Sequence, residues 1–300
     1  MKGKGGVDMQ KIGFIGLGVM GRSMALHLHS WVSSMGGSLK VWARRAETLA
    51  GVPLEEVASS PAELARQCDA IITMVGFPKD VSDLYLGSEG LIANAQGGAL
   101  LVDMTTSSPL LAQELAKEGA KRGIDVIDAP VSGGDGGARA ATLSIMCGAT
   151  EAAFERAKPL LERMGTPRLI GGPGSGQNCK MVNQILVAAS MFGVCEALLF
   201  AKKANLDLDA TWQAVSKGAA ASWSLDVRWP QILTGDMEPG FFVKHFIKDM
   251  AIAIESAKAM HLDLPGLELA YKLYRRLADQ GGEDLGTQAL YKLYEAGDVK

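Results

Sequence analysis

Lys11-Ile12-Gly13-Phe14-Ile15-Gly16-Leu17-Gly18-Val19-Met20-Gly21 is the stretch on which the reading of the fold turns. The apolar run at residues 12–15 has the length of a buried strand, three glycines follow at the spacing GxGxxG, and residues 21–33 continue in a helical pattern. The alternation persists downstream. Short apolar runs at 39–42, 70–75, 99–102, 125–128 and 143–147 are interspersed with helical stretches at 61–67 and 109–122, and another at 151–164 follows the last. Parallel strands need crossover connections, so this order predicts an α/β chain whose N-terminal part is a doubly wound, mostly parallel Rossmann sheet covered on both faces.

The pattern changes at Gly171-Gly172-Pro173-Gly174, after which helical periodicity runs to the C-terminus. Residues 1–174 are therefore expected to form the sheet domain and residues 175–300 an all-α domain opening with a long connecting helix over 177–203. That helix is apolar nearly all round and ends in Lys202-Lys203, cations that suit the negative end of its dipole. It needs cover on most sides, and a homodimer or homotetramer is expected on that ground. Its most membrane-like part, 182–200, carries Asn183, Gln184, Ser190 and Glu196, which lipid would leave without partners, so no membrane span is expected.

With 300 residues, 48% hydrophobic and 21% charged, the chain has ordinary globular composition and length for two domains. The formal net charge of −3, without any Lys/Arg block, argues against nucleic acid as a partner. Cys68, Cys147, Cys179 and Cys195 form no CxxC pair and lie at no zinc-ligand spacing from a histidine, so reduced thiols in a cytoplasmic protein without a metal are expected. Residues 1–10 are rich in Gly and Lys and lack the apolar stretch of a secretory signal, reading as a short extension before the first strand.

GxGxxG alone is a weak signal and also describes an empty glycine turn. Here it lies between the first strand and the first helix, where Gly16 permits a tight turn, Gly18 clears the approach of a pyrophosphate and Gly21 lets helix and strand pack closely. A nicotinamide dinucleotide is the expected guest, held by Gly16, Leu17, Gly18, Val19, Met20 and Gly21. An NAD site normally offers Asp or Glu at the end of the second strand, but Val41-Trp42-Ala43-Arg44-Arg45 offers two guanidinium groups instead. Arg44 suits a 2′-phosphate, so NADP is expected, with NAD possible. Two solvated surface arginines would account for the same residues.

The run 125–128 leads into Ala129-Pro130-Val131-Ser132-Gly133-Gly134-Asp135-Gly136-Gly137. Ligands bind beyond strand ends in such sheets, and Ser132 followed by Gly133 and Gly134 can present a hydroxyl and bare N–H groups to a carboxylate, although glycine clusters also occur in loops that bind nothing. Further on, Lys180, Asn183 and Gln184 are three and four residues apart and share one polar face of the long helix. A lysine near the positive end of a helix is suited to proton transfer; one that only reaches solvent is the alternative.

Gly13-Phe14-Ile15-Gly16-Leu17-Gly18-Val19-Met20-Gly21, Asp128-Ala129-Pro130-Val131-Ser132-Gly133-Gly134, Gly174-Ser175-Gly176-Gln177-Asn178-Cys179-Lys180 and Phe246-Ile247-Lys248-Asp249 resemble the four signature blocks of the β-hydroxyacid dehydrogenases, in the same order and over nearly the whole chain. That family includes 3-hydroxyisobutyrate dehydrogenases and tartronate, glyoxylate and succinic semialdehyde reductases. The resemblance implies Lys180 as the catalytic lysine and Ser132, Gly133 and Gly134 as the carboxylate-binding turn. It further implies Asn183, Gln184 and Lys248 as substrate contacts, with Arg44, Val75, Thr106, Phe241, Lys248 and Asp249 joining the glycine turn toward the cofactor. The expected activity is NADP-dependent hydride transfer between a small 3-hydroxy acid and its semialdehyde. One departure is Gln184, where many members have Asn, a feature that resembles the semialdehyde-reductase branch. The related 6-phosphogluconate dehydrogenases carry a His-Asn pair at positions 183 and 184 and a longer second domain, and this chain has neither. Some relatives keep the fold as a non-catalytic module, typically without the lysine.

Other residues are given bland readings. His27 and His29, two apart on a helix, cannot share a face to hold a metal. His245 is read as structural, and Trp223 and Trp229 as core or interface packing.

Overall fold

The computed structural model describes residues 9–50 and 56–299, so residues 1–8 of the expected N-terminal extension lie outside the description. The chain divides into two compact units, Met1–Lys180 and Met181–Lys300. The division falls inside the long helix rather than at the Gly/Pro cluster, because the first turns of that helix are bound into the sheet unit.

The first unit holds strands β1 (Lys11–Ile15), β2 (Ser38–Trp42), β3 (Glu56–Val57), β4 (Ala70–Thr73), β5 (Leu100–Asp103), β6 (Asp125–Asp128), β7 (Val131–Ser132), β8 (Leu143–Gly148) and β9 (Gly165–Gly171). Its helices are α1 (Val19–Ser34), α2 (Pro61–Gln67), α3 (Pro78–Tyr85), α4 (Leu91–Asn94), α5 (Pro109–Ala120), α6 (Gly134–Ala140) and α7 (Glu151–Leu161), and α8 (Ser175–Lys203) begins here. The strand order is β3-β2-β1-β4-β5-β6-β8-β7, with β9 paired to β8. From β3 to β6 all pairs are parallel, while β8 runs antiparallel to β6 and β7. The chain winds outward from β1 in both directions, which leaves a crevice beyond the C-terminal end of β1, the usual binding place in a doubly wound sheet.

Side chains alternate along the central strands between two apolar layers. Ile12 and Phe14 join Met24, Leu28 and Val102 on one face, while Ile15 joins Leu64, Ile71, Tyr85 and Leu101 on the other. Each such fully buried side chain contributes roughly 1.5–3 kcal/mol, which is why the sheet is fixed in register.

Several elements escape the sequence pattern. β3 and β7 are only two residues long, and β9 contains Pro167 and is mostly exposed, as a strand that among the described residues pairs with β8 alone can be. No helical pattern announces α6, whose seven residues include Gly134, Gly136 and Gly137. Tertiary contact overrides that poor propensity: His27 Nε2 lies 3.1 Å from the carbonyl oxygens of both Ala138 and Arg139. This gives His27 a fixed structural task.

The second unit carries the rest of α8, then α9 (Leu208–Val215), α10 (Trp229–Thr234), α11 (Val243–Ala259), α12 (Pro265–Leu277) and α13 (Tyr291–Ala296). Its core gathers Met191, Trp229, Phe246, Met250, Tyr274 and Leu290. Trp229 is thus a core residue, whereas Trp223 is 61% exposed with the Arg228 guanidinium over its ring at 4.7 Å. α8 is less covered than its composition predicts: Val182, Leu186 and Phe200 are exposed. Positions 182, 186 and 200 lie on one face at helical spacing.

Candidate active site

The glycine turn has the geometry that its spacing implies. Gly16 has φ of +97°, and a Cβ there would fall 2.1 Å from the Met74 carbonyl oxygen; a Cβ on Gly21 would fall 1.9 Å from that of Gly16. Around Gly18 no atom of the described residues beyond its chain neighbours and its own helix lies within 4 Å of such an atom, so the backbone is open to a ligand. α1 starts at Val19 with no side chain among the described residues capping it and no acid in its first turn, leaving its positive end to an anion. The Leu17 side chain is buried in the core, so only its backbone serves the turn, while Val19 is exposed and Met20 is partly buried. These features fit a dinucleotide pyrophosphate. Arg44 follows β2 and pairs with Asp80 at 2.8 Å, and Val75 follows β4.

A row of polar residues crosses the C-terminal ends of the strands. Thr73 pairs in register with Asp103, and Asp103 with Asp128, so the three stand side by side on one face. Asp103 accepts hydrogen bonds from Thr73 Oγ1 at 2.8 Å and from the Thr105 N–H at 3.1 Å. Thr73 Oγ1 also lies 3.0 Å from the Tyr85 hydroxyl, and Thr105 Oγ1 accepts from the Val75 N–H at 3.0 Å. This web fixes the segment that carries Thr106.

Asp128 does the same for α8. Its carboxylate accepts from the Gly174 N–H at 2.7 Å and the Gln177 N–H at 2.8 Å. A Cβ on Gly176 would lie 2.3 Å from the Met146 carbonyl oxygen, so the first turn of α8 is pressed against the strand ends. Gln177, fully buried, accepts from the Ser107 N–H at 2.9 Å and donates to the Thr105 carbonyl at 2.7 Å. One turn later, the buried Lys180 donates from Nζ to the Val131 carbonyl at 2.8 Å. That oxygen immediately precedes the turn of Ser132, Gly133 and Gly134, whose glycines have φ of +132° and +62°. The amine and the proposed carboxylate cradle are thereby brought together within the first unit. The positive helix end expected beneath Lys180 is answered by the Asp128 carboxylate, which sequence reading left unassigned.

Burial raises both strand-end acids. Asp103 is pushed up to about 6, with the hydrogen bonds from Thr105 and Thr73 opposing, and Asp128 is raised against the pull of its backbone donors. Because the folded chain holds the Asp103 proton more tightly than the unfolded one, its contribution is fully present below 3.8 and is lost as pH rises toward about 6. The expected loss is roughly 3 kcal/mol across that window, and Asp103→Asn should flatten it. Urea midpoints of both proteins from pH 4 to 7 check this; parallel pH slopes would contradict it.

The second unit arranges its own polar set. Asn183 Nδ2 donates to Gln184 Oε1 at 2.7 Å, Gln184 Nε2 donates to Asp249 Oδ2 at 2.6 Å, and Lys248 Nζ pairs with Asp249 Oδ1 at 3.0 Å. Asp249 and Gln184 are buried, so one carboxylate orders both Gln184 and Lys248. Phe241 packs against Phe246, with ring centroids 5.5 Å apart. Burial, reinforced by the nearby charge of Lys248, lowers the His245 pKa and favours the neutral ring.

Asp103, Asp128 and Gln177 are site residues to which sequence reasoning assigns no task. Their signal was an acid closing each of two apolar strands, Leu100–Asp103 and Asp125–Asp128.

A sequence profile described as the NAD binding domain of 6-phosphogluconate dehydrogenase matches residues 11–182, and one described as NAD-binding of NADP-dependent 3-hydroxyisobutyrate dehydrogenase matches residues 174–294. The chain is 45% identical to a probable 3-hydroxyisobutyrate dehydrogenase-like mitochondrial protein of Arabidopsis thaliana, over 93% of this chain and 84% of that one. It is 40% identical to the 2-hydroxy-3-oxopropionate reductase of Escherichia coli K12, over 95% and 97% of the two. Among solved structures, the 3-hydroxyisobutyrate dehydrogenase of Mycobacterium tuberculosis with L-serine superposes with a TM-score of 0.86 at 27% identity, covering 95% of this chain and 99% of that one.

Proposed function

The chain belongs to the β-hydroxyacid dehydrogenase family of NAD(P)-dependent oxidoreductases, and from that premise we propose that it interconverts a small 3-hydroxy acid of the 3-hydroxyisobutyrate type and its semialdehyde, with NADP preferred and Lys180 as general acid and base. The observation that carries this reading is the Lys180 Nζ held 2.8 Å from the Val131 carbonyl, next to Ser132. Arg44 and the profile match to an NADP-dependent enzyme support the cofactor preference.

A bound nicotinamide dinucleotide supplies or accepts the hydride. Ser132 Oγ and the N–H groups of Gly133 and Gly134 hold the substrate carboxylate and thereby fix the reacting carbon. As negative charge builds on the carbonyl oxygen, the Lys180 ammonium stabilises it and then gives up a proton; in the oxidative direction the neutral amine takes the proton from the alcohol. Thr106 lies on the segment tied down by Asp103 and Gln177. Asn183, Gln184 and Lys248 contribute polar contacts to the substrate, and Phe241, Lys248 and Asp249 complete the surroundings of the cofactor. A homo-oligomer is supported by the exposed Val182, Leu186 and Phe200 face of α8.

Gln184 and the likeness to a 2-hydroxy-3-oxopropionate reductase favour a second reading, reduction of tartronate, glyoxylate or succinic semialdehyde. Comparing specificity constants for methylmalonate, tartronate and succinic semialdehydes and glyoxylate, each with NADPH and NADH, separates the two. Highest values are expected for methylmalonate semialdehyde with NADPH. A lead for any other acid moves the assignment to the second reading, and a strong NADH preference overturns the role of Arg44.

A further inference from the structure

Sheet order places β1 between β2 and β4, so residues just beyond β2 and β4 flank the end of β1, where the glycine turn begins. Arg44 comes from the β2 side and Asp80, in the first turn of α3, from the β4 side, and they meet at 2.8 Å. The ion pair therefore joins the two banks of the crevice at the end of the sheet that receives the adenosine half of a dinucleotide.

The partners are unequal. Asp80 is anchored, because its Oδ2 accepts from the Phe77 N–H at 3.1 Å and its side chain is 19% exposed. Arg44 is 76% exposed on a long stem and can turn its guanidinium to another anion. The acid that β2 lacks at its own end is thus supplied from α3, already paired to the group that would receive a 2′-phosphate. A guanidinium has fixed donor geometry, and hydrogen bonds committed to a carboxylate must be released before a phosphate takes the same fork.

We propose that Asp80 is a specificity-determining residue that competes with the 2′-phosphate of NADP for Arg44 and so narrows the preference of this site for the phosphorylated cofactor. The proposal rests on the reading of Arg44 as the 2′-phosphate ligand. Solvent-exposed ion pairs are weak, so the competition amounts to a few-fold rather than an all-or-none block.

Dissociation constants for NADPH and NADH, read from cofactor fluorescence with the full chain, test it. Asp80→Asn keeps an oxygen to accept from Phe77 N–H and removes the charge. It should tighten NADPH about three- to fivefold at low salt and change NADH by less than about twofold, with the gain shrinking at high salt as screening sets in. Unchanged NADH affinity also reports an intact fold, and Asp80→Ser, which can likewise cap α3, repeats the test should the Asn variant fail to fold. Arg44→Ala should weaken NADPH at least about tenfold and selectively, as expected for loss of a charge-assisted phosphate contact. On that background Asp80→Asn should no longer tighten NADPH. If Arg44→Ala is selective but Asp80→Asn leaves NADPH unchanged or weaker, the competition is wrong and the Arg44 reading survives. If Arg44→Ala shows no NADPH-selective loss, both fall.

Discussion

Lys180→Ala should lower kcat by roughly 10²- to 10⁴-fold, the usual scale for loss of a general acid, while the dissociation constant for NADPH stays near that of the parent. The separation of effects follows from position. The pyrophosphate turn is built by β1 and α1, and the lysine by α8 against the Val131 carbonyl. Removing the side chain leaves that carbonyl without its amine donor, a loss of about 1 kcal/mol that a stable domain tolerates. Lys180→Arg is the sharper comparison. Guanidinium keeps the positive charge but does not release a proton near neutral pH, so a requirement for proton delivery keeps this variant slow as well. Steady-state rates with cofactor binding measured alongside decide the matter, and near-normal turnover in Lys180→Ala refutes the assignment.

Asp128→Ala has the second largest expected effect, and it acts on stability and rate together. The substitution strips the acceptor from the buried Gly174 and Gln177 N–H groups, which receive hydrogen bonds of 2.7 and 2.8 Å. Two charge-assisted bonds lost from a buried site cost about 3–5 kcal/mol, visible as a lower urea midpoint. Because these bonds seat the turn of α8 that precedes Lys180, a displaced helix start misplaces the amine. Asp128→Asn retains one acceptor and sets an amide against the other donor, so it should fold and still lose about 10- to 100-fold in kcat, the scale of an ångström-sized misplacement. An Asn variant with full kcat would show that α8 is seated by other means.

The sequence made the sheet legible wherever a strand was a run of apolar residues, which the mostly exposed β9 is not. β1, β2, β4, β5, β6 and β8 were all recognisable from apolar runs, whereas the two-residue β3 and β7 carry too few side chains for any period. α6 was illegible for a different reason: three glycines in seven residues read as loop, and the helix depends on His27, which lies more than 100 positions away in the chain. For the site, the glycine turn and the lysine could be read because each is a local motif. The frame of Asp103, Asp128 and Gln177 could not, since it exists only once register sets strand ends side by side and a distant helix start descends on them. Asp80 was equally hidden, because its partner Arg44 lies on the far side of β1.

The lysine, its helix seat and the Ser132 turn all belong to the sheet unit, whereas Gln184, Lys248 and Asp249 belong to the helical one. Chemistry and choice of acid are thus housed in separate modules on the proposed reading. Chimeras that graft the helical half of one relative onto the sheet half of another should change which semialdehyde is accepted while inheriting an unaltered apparatus for delivering the proton.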